Sequence, residues 1–443
     1  MPNPFLPLWE YIPDGEPRVF GDRVYIYGSH DRPGSTEFCD YKLKVWSAPV
    51  DDLNNWTCHG HIFHTKDDRD HKSDTDWTDN NLLFAPDVVE KDGKYYLYAY
   101  IMGTKGCVAV SDKPEGPFTL ISKYKYNENE GSDSFKGGWF IDPGTLVDDD
   151  GRVYVFCGFQ GSFGAEINPD NMYEVIDGSF RDNVIPKETE SGFFEACSPR
   201  KIGDTYYMVY SPAKGSRLAY ATSKTPMGPY EFRGNIVDNE IDYPGGNDHG
   251  SICCINGQWY IFYHKMTNGT IMSRRACVEK IEILPDGTIP QVEMTSLGFE
   301  DSLLPYRITP AEIACVLKGG CLITEFDIFT RTVTNITEGC IIGYKYFDFG
   351  EDYSTKTMKF AAETIGRGCD SQVHILIDSY ENGEEIGVLS VGRSGGTVTA
   401  VVKNVTGRHA LYFKVMTNYG DDWIGQQFKG RQLFDLKSFV FMK

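Results

Sequence analysis

Ile255-Asn256-Gly257-Gln258-Trp259-Tyr260-Ile261-Phe262-Tyr263 is the stretch on which the fold turns. An apolar strand end meets an Asn-Gly pair, and an aromatic-rich strand leaves it. An Asn-Gly pair between two such runs is a strong signal for a tight β-hairpin. The same pattern occurs in Val19-Phe20-Gly21-Asp22-Arg23-Val24-Tyr25-Ile26-Tyr27, Lys91-Asp92-Gly93-Lys94-Tyr95-Tyr96-Leu97-Tyr98, Asp149-Asp150-Gly151-Arg152-Val153-Tyr154-Val155-Phe156 and Ile202-Gly203-Asp204-Thr205-Tyr206-Tyr207-Met208-Val209-Tyr210. The turn glycines stand at 21, 93, 151, 203 and 257, 52 to 72 residues apart. That is about the length of one four-stranded propeller blade. A second repeat pairs Ser111-Asp112-Lys113-Pro114-Glu115-Gly116-Pro117-Phe118 with Ser223-Lys224-Thr225-Pro226-Met227-Gly228-Pro229-Tyr230. Each copy follows its hairpin at a similar distance, as a connection to an outer strand would. Five units predict an all-β chain that opens with a five-bladed β-propeller over residues 1–297.

After Pro285-Asp286-Gly287 the repeat stops. Residues 306–443 keep alternating strands, such as His374-Ile375-Leu376-Ile377-Asp378 and His409-Ala410-Leu411-Tyr412-Phe413-Lys414-Val415, separated by glycine turns. This length and pattern predict one antiparallel β-sandwich.

The 443 residues carry 63 acidic and 43 basic side chains, a formal net charge of −20. That balance repels phosphate backbones and anionic lipid heads, so it argues against nucleic acid and membrane surfaces as partners. The opening Met1-Pro2-Asn3-Pro4-Phe5-Leu6-Pro7 has neither the basic nor the apolar region of a secretion signal, which predicts a cytoplasmic protein. The twelve cysteines show no metal-type or C-x-x-C spacing and read as small buried hydrophobes in a reducing compartment.

Chemistry-bearing residues precede the hairpins. Asp14 lies seven residues before Gly21, Asp87 six before Gly93, Asp142 nine before Gly151, Glu195 eight before Gly203 and His249 eight before Gly257. The innermost strands of a propeller line its central channel, so these groups are expected to converge on one axis. Any one of them alone reads as an ordinary turn residue. Four carboxylic acids and an imidazole crowded together shift one another's pKa, an expensive arrangement unless they bind something or do chemistry. Glu195, flanked by Gly192-Phe193-Phe194 and Ala196-Cys197-Ser198, has the apolar setting that raises a carboxyl pKa and suits a general acid. Asp87, in Phe84-Ala85-Pro86-Asp87, reads as a pocket-lining substrate contact.

The segments Pro13-Asp14-Gly15-Glu16-Pro17-Arg18-Val19-Phe20, Phe140-Ile141-Asp142-Pro143, Phe194-Glu195-Ala196 and His249-Gly250-Ser251 resemble glycoside hydrolase family 43 in order and spacing, over about two thirds of the chain. The resemblance implies an inverting glycosidase. Asp14 matches the general base, Asp142 the acid that tunes pKa and orients its partner, and Glu195 the general acid. Arg274 matches an arginine that contacts the sugar near the acid. His249 matches an axial histidine that holds calcium through water, and no organic cofactor is implied. The first motif departs from the family pattern, reading Asp14-Gly15-Glu16-Pro17 where many members have Asp-Pro-Ser.

The C-terminal region resembles carbohydrate-binding module family 6, through Ile342-Gly343-Tyr344-Lys345-Tyr346-Phe347-Asp348-Phe349-Gly350 and Leu433-Phe434-Asp435-Leu436-Lys437-Ser438-Phe439 among other segments; Lys437 stands where many members have Asp. Trp423 and Tyr419 are the aromatic candidates for stacking on a sugar, the alternative being that the module only props the catalytic domain. The tract His59, His61, His64 and His71 with Asp67, Asp68 and Asp70 matches no defined metal spacing and reads as a solvated loop. Together these readings predict an exo-acting α-L-arabinofuranosidase or β-D-xylosidase that takes an oligosaccharide substrate. An endo-arabinanase or a catalytically dead lectin are the alternatives.

Overall fold

The computed structural model describes residues 1–75, 82–102, 106–123, 140–185, 191–240, 247–352 and 354–443. Each of the five sequence hairpins forms, and each becomes the first two strands of an antiparallel sheet. The first sheet runs β1 (Glu16–Phe20), β2 (Arg23–Gly28), β3 (Lys42–Pro49) and β4 (Thr57–His64). The second runs β5 (Leu83–Lys91), β6 (Lys94–Ile101), β7 (Cys107–Ser111) and β8 (Thr119–Lys123). The third holds β9 (Gly144–Val147), β10 (Val153–Cys157), β11 (Phe163–Ile167) and β12 (Arg181–Asp182). The fourth holds β13 (Phe193–Ile202), β14 (Thr205–Pro212), β15 (Arg217–Ser223) and β16 (Glu231–Asp238). The fifth holds β17 (Ser251–Ile255), β18 (Gln258–Thr267) and β19 (Thr270–Ile281). These are the five blades of a β-propeller.

Asn256 and Gly257 both have positive φ, 49° and 81°, which gives the hairpin turn whose twist matches the strands it joins. The Ser111 and Ser223 repeats connect the third strand to the fourth in blades two and four. Aromatics fill the space between successive sheets. Tyr25, Tyr27, Leu43 and Phe63 of blade one pack with Val88, Leu97 and Phe118 of blade two, and Tyr207, Tyr220 and Ile236 of blade four with Ile252, Ile261 and Tyr263 of blade five.

Two layers follow, one of six strands that includes β20 (Thr309–Pro310) and one of five that includes β21 (Val316–Lys318). One has the order β22 (Leu322–Glu325), β23 (Arg331–Ile336), β30 (Phe434–Met442), β25 (Thr357–Gly366), β28 (Gly395–Lys403), with β20 pairing β30. The other runs β21, β24 (Ile341–Asp348), β29 (Arg408–Met416), β26 (Ser371–Ile377), β27 (Glu384–Val391). Phe360, Phe413, Phe439 and Phe441 form an edge-to-face cluster inside this β-sandwich. By contacts the chain forms two compact units, Tyr11–Lys265 with Ile271–Met294, and Met1–Glu10 with Met266–Thr270 and Thr295–Lys443. All twelve cysteines are free, and most are buried. Among the described residues no helix is long and apolar enough to cross a membrane.

Candidate active site

Strand register shows which residues share a level on the propeller axis. The inner hairpins close at Phe20↔Arg23, Lys91↔Lys94, Ile202↔Thr205 and Ile255↔Gln258. Counted back from those closures, Glu16, Asp87, Ser198 and Ser251 occupy equivalent positions. Asp14 and His249 lie two residues further out, just ahead of β1 and β17. Glu195 reaches their level because β13 carries an extra residue between Glu195↔Ser211 and Ser198↔Val209, a β-bulge that restores its phase. Asp142 lies two residues before Gly144, which opens β9.

The close approach that sets the Asp142 segment depends on Gly144. A Cβ there would stand 2.1 Å from the Cys197 carbonyl oxygen of the next blade. Asp14 and Asp142 themselves adopt left-handed backbone, with φ of 59° and 51°. So does Ala196, directly after Glu195, with φ of 68°. Strained backbone of this kind gathers at functional sites, held there by surrounding structure.

Arg274 holds Asp14 in place. Its Nη1 donates to Asp14 Oδ1 at 2.8 Å, while Nε and Nη2 fork onto Asp31 Oδ2 and Oδ1, each at 2.9 Å. His264 stands on the other side, its Nδ1 accepting the Asp14 backbone N–H at 3.4 Å and its Nε2 lying 3.2 Å from the Asn247 carbonyl. These partners place the imidazole proton on Nε2. His249 Nδ1 lies 3.7 Å from Asp142 Oδ2.

The three carboxyl groups are driven apart electrostatically. Burial alone would raise Asp14, but the Arg274 guanidinium, then His264 and His249, hold it well below the usual carboxylate range. Burial pushes Asp142 up to about 8; the charges of Glu195 and Asp14 add to this and His249 opposes it. Burial pushes Glu195 up to about 7, reinforced by the Asp14 charge and opposed by Arg274. The ring therefore offers one firmly ionised carboxylate beside two carboxyls whose protonated forms persist up to about pH 7 for Glu195 and about pH 8 for Asp142. That is the pairing of base and acid that glycosidic cleavage requires.

Two expected residues sit differently. Asp87 does not line the pocket. It is fully buried one level below Asp14, its oxygens held by Arg18 Nε at 3.0 Å and Nη2 at 2.6 Å and by the Thr145 N–H at 2.7 Å. Counting from the turn glycine hid this, because Gly93 is the second turn residue and Gly21 the first. Arg274 is 4 % exposed and bonds Asp14, Asp31 and the Cys39 sulfur, so in this structure it positions a carboxylate. Sequence reading also missed Asp31 and His264. Asp31 follows the end of β2 with no distinguishing neighbour, and His264 sits inside an aromatic strand where a core histidine would be expected.

Below the ring, Glu16 Oε2 takes a hydrogen bond from Arg200 Nη2 at 2.8 Å, and Arg200 Nε donates to the Ile252 carbonyl at 3.1 Å. Glu16, Arg18, Asp87 and Arg200 thus form a layer of alternating charge across the propeller axis.

This propeller, with an acid–base ring at the mouth of its axis, defines a glycoside hydrolase. Residues 2–289 match glycosyl hydrolases family 43, and the chain belongs to that family. Residues 323–443 match the carbohydrate binding module (family 6). A xylosidase/arabinosidase from Thermoclostridium stercorarium is 38% identical over 93% of this chain and 95% of its own. A family 43 arabinoxylan arabinofuranohydrolase from Bacillus subtilis, solved in complex with cellotetraose, shares the fold across 100% of this chain and 97% of its own, with a TM-score of 0.56 and 24% identity. A β-xylosidase/α-arabinofuranosidase from a compost microbial metagenome, solved in complex with xylotriose in a calcium-free form, covers 66% of this chain and 98% of its own, with a TM-score of 0.53 and 27% identity.

Proposed function

We propose that the protein is an inverting, exo-acting glycosidase that removes terminal α-L-arabinofuranosyl or β-D-xylosyl units from short plant oligosaccharides. The observation that carries this reading is the opposite protonation of Asp14 and Glu195 within one ring. The relatives named for xylosidase and arabinosidase activity support the choice of sugar.

Glu195, protonated, donates its proton to the departing glycosidic oxygen as the bond to the anomeric carbon breaks. Asp14, ionised, takes a proton from a water that attacks the opposite face of the sugar. The new bond forms as the old one breaks, so the anomeric configuration inverts without a covalent enzyme intermediate; inverting pairs stand roughly 6.5–9.5 Å apart to admit that water. Asp142 and Glu195 interact through space, the Glu195 charge raising Asp142, so the two carboxyls resist ionising together. Arg274 fixes the Asp14 carboxylate and keeps it charged, while His264 accepts the Asp14 backbone N–H.

The axis also suits a hard cation. Glu16 Oε1 is buried with no hydrogen-bond partner, as is the Thr145 hydroxyl, and Glu16 lies within electrostatic reach of His249. Oxygen donors with a single imidazole fit calcium and not zinc. His249 and Glu16 would hold such an ion, directly or through water, and when bound it would supply positive potential that favours ionised Asp14.

A panel of nitrophenyl arabinofuranoside, xylopyranoside and galactopyranoside, followed by NMR of the first-formed sugar, tests the reading. Pentoside cleavage with inverted product is expected. Retained configuration would refute the assignment of Asp14 as base. Silence on every substrate, with oligosaccharide binding kept, would make the protein a lectin.

A further inference from the structure

The histidine- and aspartate-rich tract that the sequence presents as a solvated loop is divided by the structure: His59, His61 and His64 lie on β4, and only Asp67, Asp68, Asp70 and His71 follow it. His64, the last residue of β4, is 3 % exposed, and its Nδ1 has no hydrogen-bond partner. The ring is aimed at Asp74, whose Oδ2 lies 3.6 Å from that nitrogen. His71 stacks on His64 with ring centroids 4.0 Å apart and planes 24° from parallel. The stacking turns both ring edges toward the same carboxylate, with His71 Nε2 3.1 Å from Asp74 Oδ1.

The backbone fixes this convergence. Asp74 N–H donates to the His64 carbonyl at 2.9 Å, and His64 N–H donates to Asp74 Oδ2 at 2.7 Å, so the two ends of the loop are tied together. Asp68 N–H donates to the His71 carbonyl at 2.9 Å, and Asp68 Oδ1 accepts the His71 N–H at 2.8 Å. The ligating atoms of His64, His71 and Asp74 all lie within 4.8 Å of one another. Tetrahedral bonds of about 2.0–2.1 Å need donors roughly 3.3 Å apart and both ring planes directed at the ion, so binding would draw the donors together and turn the exposed His71 ring out of its stack on His64.

Around the other edge of His64, Nε2 faces Asp68 Oδ2 at 3.9 Å, and Lys42 Nζ stands 3.8 Å from the same oxygen. At 3.9 Å this is an ion-pair distance and not a hydrogen bond; drawn closer, Asp68 would fix the tautomer and orientation of His64 as carboxylates do behind metal-binding histidines.

We propose that His64 Nδ1, His71 Nε2 and an Asp74 oxygen bind a divalent transition-metal ion of the zinc class, with water completing the coordination. The two imidazoles and single carboxylate select such an ion over calcium or magnesium, which prefer all-oxygen shells. The ion clamps the loop 65–75 onto the end of β4. It is separate from the axial residues His249 and Glu16, and the proposal does not depend on the catalytic reading.

The test uses the full chain, stripped with chelator and then saturated with calcium, and titrated with zinc chloride by calorimetry. One equivalent of zinc is expected, together with a zinc-dependent rise in Tm. His71→Ala should abolish both, since His71 is at the surface and its loss leaves β4 intact. Asp68→Asn should weaken zinc binding about 10- to 100-fold. His249→Ala should bind zinc as the parent does. Absence of zinc uptake by the parent protein, or undiminished uptake by His71→Ala, overturns the proposal. Cobalt(II) supplies a second readout: visible absorption bands of a nitrogen-ligated ion should appear in the parent and not in His71→Ala, and their persistence in the variant would equally overturn it.

Discussion

Asp14, Asp142 and Glu195 differ by little more than a methylene, and their surroundings alone separate their charge states. Replacing Glu195 with Gln or Asp14 with Asn is expected to lower turnover on natural oligosaccharides by about 10²–10⁴-fold with the fold retained. Glu195→Gln should cost less on an activated nitrophenyl substrate, whose leaving group needs little protonation; steady-state rates on both substrates check this. Asp142 gives a stability signature. Its folded-state pKa of about 8 lies above its ordinary value of 3.8, so the folded chain binds the extra proton between those limits. Its contribution to stability is therefore present below about pH 4 and is lost as pH rises toward 8. Asp142→Asn removes that loss, and calorimetry should show its Tm, relative to the parent, climbing between pH 5 and pH 8 while activity falls.

At the scale of the element, the inner strands act as rulers, and their irregularities decide what reaches the axis. Glu195 lies beyond the bulge of β13 and reaches the ring, whereas Asp87 lies on the turn side of a like bulge in β5, between Phe84 and Asp87, and is left one level down, paired with Arg18. Both are acidic residues in apolar strand openings, and the sequence could not tell them apart, because bulges arise from pairing with the neighbouring strand. Asp87→Ala should destabilise the protein by up to about 3 kcal/mol in urea unfolding, at the low end for a broken buried pair because the Arg18 side chain keeps 15% exposure. KM should be unchanged. A raised KM with unchanged stability would return Asp87 to the sugar.

At the scale of the whole molecule, the two stacking candidates in the sandwich part company. Tyr419 lies flat on Phe428, centroids 4.0 Å apart and planes within 8°, and its hydroxyl accepts the Asp370 N–H at 3.1 Å. Trp423 is 76% exposed and has its face available. Trp423→Ala in the full chain should weaken retention on insoluble arabinoxylan roughly 2- to 10-fold, the scale of one aromatic stack, without altering nitrophenyl glycoside hydrolysis. Pull-down of protein with the polymer measures it. The blade count, the sandwich and the placing of polar residues ahead of each inner hairpin were legible in the chain, because tight turns and strand alternation are local properties that repeat with the fold; that Glu195 reaches the ring and Asp87 does not was not. The grip of Arg274 on Asp14 and Asp31 joins residues 243 or more positions apart, and the burial of His64 depends on what packs over the end of β4. Such contacts, and the pKa shifts they cause, depend on desolvation and on which blade lies beside which, quantities that exist only once the propeller has closed.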